Sequence, residues 1–289
     1  MIINVDYYPI IDEEYRRYLN MNSDMKDYWL LEQTLYTGTG RRDLIKTLPI
    51  PIMGKALDLG SGYGAMAIDM AFSMPIQVYS TDFEEDKVEV AKVIAEQVDS
   101  RVNYLKPGEI FFKKANIYEL DFEDNTFDFV ISRFLFQHLE DPVKAFSEIY
   151  RVLKPGGIVC TIDVDESFAF SYPETPAYEA LYAAFKKMQE MNGGDRQIGR
   201  KLPTLLRENQ FVDIYTQVDM QSGYEYTATG DAAHRFIRER FLAARNDIVE
   251  KGIMSADEFD QWMEKFNEEV ELWQFTASGQ VVAFARKTV

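Results

Sequence analysis

The sequence predicts an α/β fold, a doubly wound parallel sheet with helices on both faces and helical additions over one end. Three observations carry this expectation. Apolar strand-like runs alternate with amphipathic helical stretches from Lys55 to Asp163, and repeated βα units of this kind build a parallel sheet covered on both sides. The run Ala56-Leu57-Asp58-Leu59-Gly60-Ser61-Gly62-Tyr63-Gly64-Ala65 joins an apolar strand to a helix through a turn of three glycines, the kind of junction where open α/β sheets bind ligands. After Asp163 the pattern changes to long helical stretches.

Residues 1 to 50 read as a helical N-terminal extension, a lid, and 51 to 289 as the main domain. From Glu13 to Tyr36 residues such as Tyr15, Leu19, Tyr28 and Leu35 recur at helical spacings. Gly38-Thr39-Gly40 breaks that stretch, and a helix from Arg41 to Lys46 leads to Pro49 and Pro51. The alternation then runs as strand Lys55 to Leu59, helix Ala65 to Phe72, strand Gln77 to Asp82 and helix Glu84 to Gln97. It continues with strand Ile110 to Ala115, strand Phe127 to Ser132, helix Pro142 to Leu153 and strand Gly157 to Asp163. Pro173 and Pro176 open a helix from Ala177 to Met191 that ends at Gly193-Gly194, and a short helix from Lys201 to Asn209 precedes the strand Phe211 to Met220. Helices Asp231 to Glu250 and Ser255 to Glu271 lead to a terminal strand pair, Trp273 to Thr276 and Gln280 to Arg286, turned at Ser278-Gly279. The helical insertions at about 165 to 200 and 228 to 272 follow strand ends, where they would cover a ligand and shape a substrate cavity.

With 289 residues, 46% of them hydrophobic, the chain can bury a full core. Its net charge of −17 argues against nonspecific nucleic-acid binding, which draws on phosphate neutralisation. Arg41-Arg42 and the stretch Arg196 to Arg207 are the best candidates for a local basic patch. No run approaches the roughly 20 apolar residues of a membrane span, and the start of the chain lacks a basic-then-apolar leader, so a cytoplasmic protein is expected. Cys160, the only cysteine, lies in an apolar strand pattern and reads as a buried, inert thiol. With two histidines beside it, no metal site is expected.

The glycine turn is suited to a nucleotide-like ligand. Gly60, Gly62 and Gly64 keep Cβ atoms away from an approaching ligand, and the next helix turns its free N–H groups to the same spot. A dinucleotide fingerprint with Ala65 as its last small residue fits equally. Asp58 tilts the choice, because a carboxylate repels a pyrophosphate and suits a ligand with a cationic amino-acid end. Asp82 ends the second strand, where it can accept from two ribose hydroxyls or cap the helix near Glu84. Asn116 follows the third strand, and its amide matches the donor and acceptor pattern of adenine or serves a turn. Arg133 follows the fourth strand and suits a carboxylate or an anionic acceptor.

These residues belong to longer motifs: Leu57-Asp58-Leu59-Gly60-Ser61-Gly62-Tyr63-Gly64, Ser80-Thr81-Asp82, Leu120-Asp121-Phe122 with Asn125-Thr126-Phe127-Asp128, and His138-Leu139-Glu140-Asp141-Pro142 leading to Arg151-Val152-Leu153-Lys154-Pro155-Gly156-Gly157. Over about residues 50 to 165 the chain resembles the class I S-adenosylmethionine-dependent methyltransferases, in particular the small-molecule group that includes the ubiquinone and menaquinone C-methyltransferases. The resemblance implies a Rossmann-like sheet of seven strands, the last antiparallel. It implies S-adenosyl-L-methionine as cofactor and S-adenosyl-L-homocysteine as product, with Gly60 and Gly62 beneath the methionine part, Asp82 on the ribose and Asn116 at the adenine. Position 116 is usually aspartate in that group. The expected cofactor-binding set is therefore Asp58, Gly60, Ser61, Gly62, Asp82, Phe83, Asn116, Ile117 and Arg133.

The implied reaction is in-line SN2 methyl transfer to a small, hydrophobic or aromatic organic acceptor. An oxygen or carbon acceptor must lose a proton, and His138 is the histidine near the expected cofactor edge, where it reads as a general base or as a residue that structures its turn. His234 lies beside Arg235, Arg238 and Arg240, which read as solvated helix surface or, facing inward, as an anion site. Tyr7, Tyr8, Tyr15, Tyr18, Tyr28 and Trp29, with Phe168, Phe170, Tyr172, Tyr178 and Tyr182, supply core and candidate acceptor-site rings. Two other readings compete. A nicotinamide-dependent oxidoreductase uses the same turn, with Asp58 and Pro155-Gly156-Gly157 counting against it, and a non-catalytic S-adenosylmethionine-binding module would keep the cradle alone. A homodimer stays open.

Overall fold

The computed structural model describes residues 7–22, 25, 27–103, 105–224 and 228–289, with 224 and 228–232 described for backbone alone. The chain begins with α1 (Tyr8–Met21), α2 (Tyr28–Tyr36) and α3 (Gly38–Thr47). The sheet region holds β1 (Lys55–Leu59), α4 (Ala65–Ser73), β2 (Gln77–Asp82), α5 (Glu85–Arg101), β3 (Glu109–Lys114), β4 (Phe127–Arg133), α6 (Pro142–Val152) and β5 (Leu153–Val164). The second half holds β6 (Phe170–Tyr172), α7 (Pro176–Met191), α8 (Leu202–Glu208), β7 (Val212–Tyr224), α9 (Ala228–Glu250), α10 (Ala256–Glu269) and β8 (Phe275–Arg286).

Strands β3, β2, β1, β4 and β5 lie side by side in that order and run parallel. β8 joins β5 antiparallel, and β7 pairs with the other side of β8. Strand order reverses between β1 and β4, which makes the C-terminal ends of these strands the switch point of the sheet. The period of two along β1 sets its faces. Ala56 joins Met66, Ala67 and Met70 of α4 and Leu44 of α3 in one core layer, whereas Leu57 and Leu59 join Phe146, Ile149 and Leu202 in the layer on the opposite face. Asp58 shares the parity of Ala56 and so lies under α4. Helices α7, α9 and α10 bury a separate cluster around Leu181, Phe241, Phe259, Phe266 and Trp273. No helix among the described residues is long and apolar enough to cross a membrane.

Several local expectations are corrected. The helical stretch Glu13 to Tyr36 is two helices, α1 and α2, and residues 23, 24 and 26 between them lie outside the described set. Gly38 and Gly40 do not break the next helix but open it, the separation from α2 falling at Thr37. The terminal pair is one continuous strand, β8, with no turn at Ser278-Gly279. It stays extended because β7 pairs along nearly its whole length, with β6 and then β5 on its other side. Gly279 serves close approach, since a Cβ there would stand 2.5 Å from Met220 Sδ and 2.7 Å from Phe168 Cβ. The short β6 adds an eighth strand to the seven expected.

The expected basic patch at Arg41-Arg42 is also corrected, since both side chains are buried. Arg41 Nε donates to Asp69 Oδ2 of α4 at 2.7 Å and Arg42 Nε to Asp69 Oδ1 at 3.1 Å. The terminal nitrogens of Arg42 grip Asp12 of α1 at 3.0 and 2.6 Å, and Arg41 Nη1 donates to the Thr34 carbonyl of α2 at 2.9 Å. In the second stretch Arg196 pairs with Glu166, Arg200 with Asp165 and Lys201 with Asp195. Charge pairing, which sequence does not display, turned these bases inward or neutralised them.

Asp69→Ala leaves two buried guanidinium groups without their shared acid and should lower the unfolding free energy by about 3–5 kcal/mol. Asp43→Ala removes an exposed pair with Lys46 and should cost under about 1 kcal/mol. Urea unfolding of the two variants measures the difference, and equal losses would contradict the assigned role of Asp69.

Candidate functional site

The turn after β1 carries positive φ angles at three alternate positions, all glycine, 64° at Gly60, 55° at Gly62 and 76° at Gly64. Gly62 is the informative one. A Cβ built there meets nothing within 4 Å, so its left-handed conformation faces open space rather than a packing partner. The turn is fixed from beneath: Ser61 N–H donates to the Thr81 carbonyl at 2.8 Å, Ser80 Oγ donates to Ser61 Oγ at 2.9 Å, and Gly62 N–H donates to Asp82 Oδ2 at 2.8 Å. Tyr15 of α1, fully buried, donates its hydroxyl to the Tyr63 carbonyl at 2.8 Å.

Asp58 is buried and its Oδ2 accepts from Ala67 N–H in the first turn of α4 at 3.1 Å. Burial pushes its pKa up to about 7 against the lowering effect of that hydrogen bond, and the neighbouring Asp82 adds to the rise. The second oxygen of Asp82 accepts from Glu84 N–H at 3.0 Å, which ties the end of β2 to the start of α5. Phe83 is 66% exposed beside it. Asn116 is exposed in a turn closed on Glu119, its Oδ1 accepting from Tyr118 N–H at 3.0 Å, and Ile117 is half-buried next to it. Asp58, Gly60, Ser61, Gly62, Asp82 and Phe83 are thus gathered at the ends of β1 and β2, with Asn116 and Ile117 just past β3.

Arg133 ends β4 and points to a neighbouring cavity of about 330 Å³ roofed by α2, α7 and α9. Its Nε donates to Gln280 Oε1 and its Nη1 to Thr37 Oγ1, both at 3.3 Å, and it stacks 4.0 Å over the Phe134 ring. Burial, then the charge of Arg41, pushes its pKa down to about 9. Phe134 takes a φ of 59°, a strained value for a side chain of its size, at the point where the chain leaves the sheet. The next residue, Leu135, packs over Gly60, so one short segment forms a wall of the cavity and a contact of the turn.

His138, on the one-turn helix Phe136–His138, also lines the cavity. The ring is solvent-exposed, and the partial desolvation of its cavity side, followed by the Arg196 charge, lowers its pKa below the usual imidazole value. His234 does not line the cavity but packs edge-on to Trp273, which does. Of the aromatic residues expected at an acceptor site, Trp29, Phe170, Tyr178 and Tyr182 line it, while Tyr7, Tyr8, Tyr15, Tyr18 and Tyr28 pack in the cluster between α1 and α5. Tyr36, Phe185 and Phe236 line it without having been singled out. Their signal was present as Tyr178, Tyr182 and Phe185 at helical spacing on α7 and Phe236 with Arg240 on α9.

Residues 57–161 match the family described as a methyltransferase domain. Phosphoethanolamine N-methyltransferase 2 of Caenorhabditis elegans is 35% identical over 132 residues, 45% of this chain and 28% of that protein. A ubiquinone/menaquinone biosynthesis C-methyltransferase of Geobacter sp. (strain M21) is 26% identical over 223 residues, 73% of this chain and 90% of that protein. The chain therefore spans less than a third of the nematode relative and most of the bacterial one. Among solved structures, the YcgJ protein of Bacillus subtilis aligns with a TM-score of 0.57 at 18% identity, covering 87% of this chain and 99% of that one. Haemonchus contortus phosphoethanolamine N-methyltransferase 2, in complex with phosphomonomethylethanolamine and S-adenosylhomocysteine, aligns with a TM-score of 0.52 at 21% identity, covering 87% and 52%. At these identities the structural likenesses speak for the fold.

The raised pKa of Asp58 has a consequence for stability. In the unfolded chain an aspartate titrates near about 3.9, so between about pH 4 and pH 7 the folded state holds a proton at Asp58 that the unfolded state has released. Stability from this group therefore falls as pH rises through that window. Asp58→Asn keeps an acceptor for Ala67 N–H and should stabilise the fold by roughly 1–2 kcal/mol at pH 7.5, with little change at pH 4.5. Denaturant unfolding at both pH values checks this, and a difference independent of pH would contradict it.

Proposed function

We propose that this chain, which belongs to the class I S-adenosylmethionine-dependent methyltransferases, transfers a methyl group by in-line displacement to a small organic acceptor held in the cavity roofed by α2, α7 and α9. One observation carries the reading. The glycine turn after β1, with open space at Gly62 and its N–H tied to Asp82, adjoins a walled cavity through the single segment Arg133 to Leu135. The residues suit the cofactor, because a Cβ at Gly62 would fill the space a ligand needs and the carboxylate of Asp82 retains lone pairs beyond its two backbone bonds.

S-Adenosylmethionine, when bound, supplies an electrophilic methyl group on a sulfonium. The chain's part is to hold, orient and desolvate. Gly60, Ser61 and Gly62 would offer their backbone to the methionine part, with the Ser61 hydroxyl turned to Ser80, and Asp58 beneath the turn would favour that part's ammonium. Asp82 would accept from the ribose hydroxyls, Phe83 would offer its exposed ring next to them, and Asn116 with Ile117 would meet the adenine. Replacing the aspartate usual at 116 by asparagine keeps acceptor geometry without charge. Arg133 is placed for the carboxylate of the methionine part. The rings of Trp29, Tyr36, Tyr178 and Phe236 exclude water from the acceptor.

His138 is neutral at pH 7 and faces the same space, so it is the side chain for receiving a proton from an oxygen or carbon acceptor. Its lowered pKa leaves the ring unprotonated at pH 7. A rate limited by His138 as base would therefore stay flat above pH 7.

Calorimetric titration of the full chain with S-adenosylhomocysteine should show saturable binding, weakened by about 1–3 kcal/mol in Asp82→Ala. NADH should show none. Absence of S-adenosylhomocysteine binding to the folded protein would refute the reading.

A further inference from the structure

Arg240 sits on the inner side of α9, and its guanidinium lies over three rings of the cavity wall, 4.9 Å from the centre of Phe185, 5.1 Å from Phe236 and 5.5 Å from Tyr182. Its Nε is buried with no hydrogen-bond partner, and no carboxylate of the described residues pairs with it. Its neighbours on the helix face outward: Arg235 approaches Glu32 at 3.9 Å and Arg238 pairs with Glu239 at 2.6 Å.

A second guanidinium, that of Arg196, shares the Phe185 ring at 5.4 Å and is paired with Glu166. This end of the cavity therefore holds two guanidinium groups and one carboxylate, which pairs with Arg196. The other acids of the wall do not pair with Arg240: Asp165 is engaged by Arg200, Asp27 by Lys87 and Asp219 by the Gln280 amide, while Asp247, two turns along the same face of α9, is solvent-exposed at the cavity edge. Arg240 is half-buried, and a charge that is partly desolvated without a counter-ion is costly. Ring faces offset part of that cost, and a bound anion would offset the rest.

We propose that the cavity selects an acceptor with an apolar body and an oxyanion, a carboxylate or phosphate monoester, the oxyanion pairing with Arg240 and the body lying against the stacked rings of Tyr36 and Phe236. The word acceptor rests on the methyltransferase reading, and the anion site itself does not.

The test is calorimetry with naphthoate, naphthamide and naphthyl phosphate on the full chain, with and without saturating S-adenosylhomocysteine. Wild type should bind naphthoate or naphthyl phosphate at least about 10-fold more tightly than naphthamide, and which of the two is tighter identifies the oxyanion. Arg240→Met should abolish the preference while raising the melting temperature, because it removes an unpaired, half-buried charge. Arg240→Lys should retain part of the preference, and it decides together with wild type where Arg240→Met does not fold. Equal binding of acid and amide, no binding of either oxyanion, or a preference that survives Arg240→Met would overturn the proposal. Loss of S-adenosylhomocysteine binding alone would sink the methyltransferase reading and leave the anion result standing.

Discussion

Asp69 is the fixed point on which the arrangement of turn, cavity and roof depends. Its side chain has no exposure and accepts from both Arg41 and Arg42. Burying such a group is expensive unless it is fully paired, and the pairing here extends to Asp12 of α1 and the carbonyl of Thr34 in α2. The network thus locks the three N-terminal helices onto α4, the helix that begins where the glycine turn ends. The Tyr15 bond to the Tyr63 carbonyl continues the lock into the turn itself. Because α2 is held in this way, it can serve as part of the cavity roof, where it packs against α9 through Tyr36 and Phe236.

The two halves of the site use polar groups differently. At the ends of β1 and β2 every carboxylate is held by backbone N–H groups, Asp58 by Ala67 and Asp82 by Gly62 and Glu84. These bonds fix the acids without a cationic partner and leave lone pairs on both. In the cavity, by contrast, Arg133 and Arg240 lack carboxylate partners among the described residues, and aromatic faces surround them. The first half presents acceptor oxygens, and the second presents cationic groups beside an apolar surface.

The parallel sheet and the glycine turn were legible in the sequence because both rest on local rules. Strand runs alternate with helical ones, and only glycine reads as three closely spaced positive φ angles. Cys160 in an apolar strand is buried. What escaped reading depends on partners far away in the chain. Nothing near Ser278-Gly279 shows that β7 and β5 will hold β8 straight, and nothing near Arg41-Arg42 shows that Asp69 will draw them inward. Arg240 has the same local context as Arg235 and Arg238, all three on one helix rich in charge. Only packing against α7 decides which of them turns to the cavity.

The most direct test of the account is a crystal structure of the chain with S-adenosylhomocysteine. The account predicts the ribose hydroxyls on Asp82, the methionine part along Gly60 to Gly62, and the sulfur facing the cavity lined by Arg133 and Phe134. A ligand bound away from this turn, or with its sulfur turned from the cavity, would contradict it.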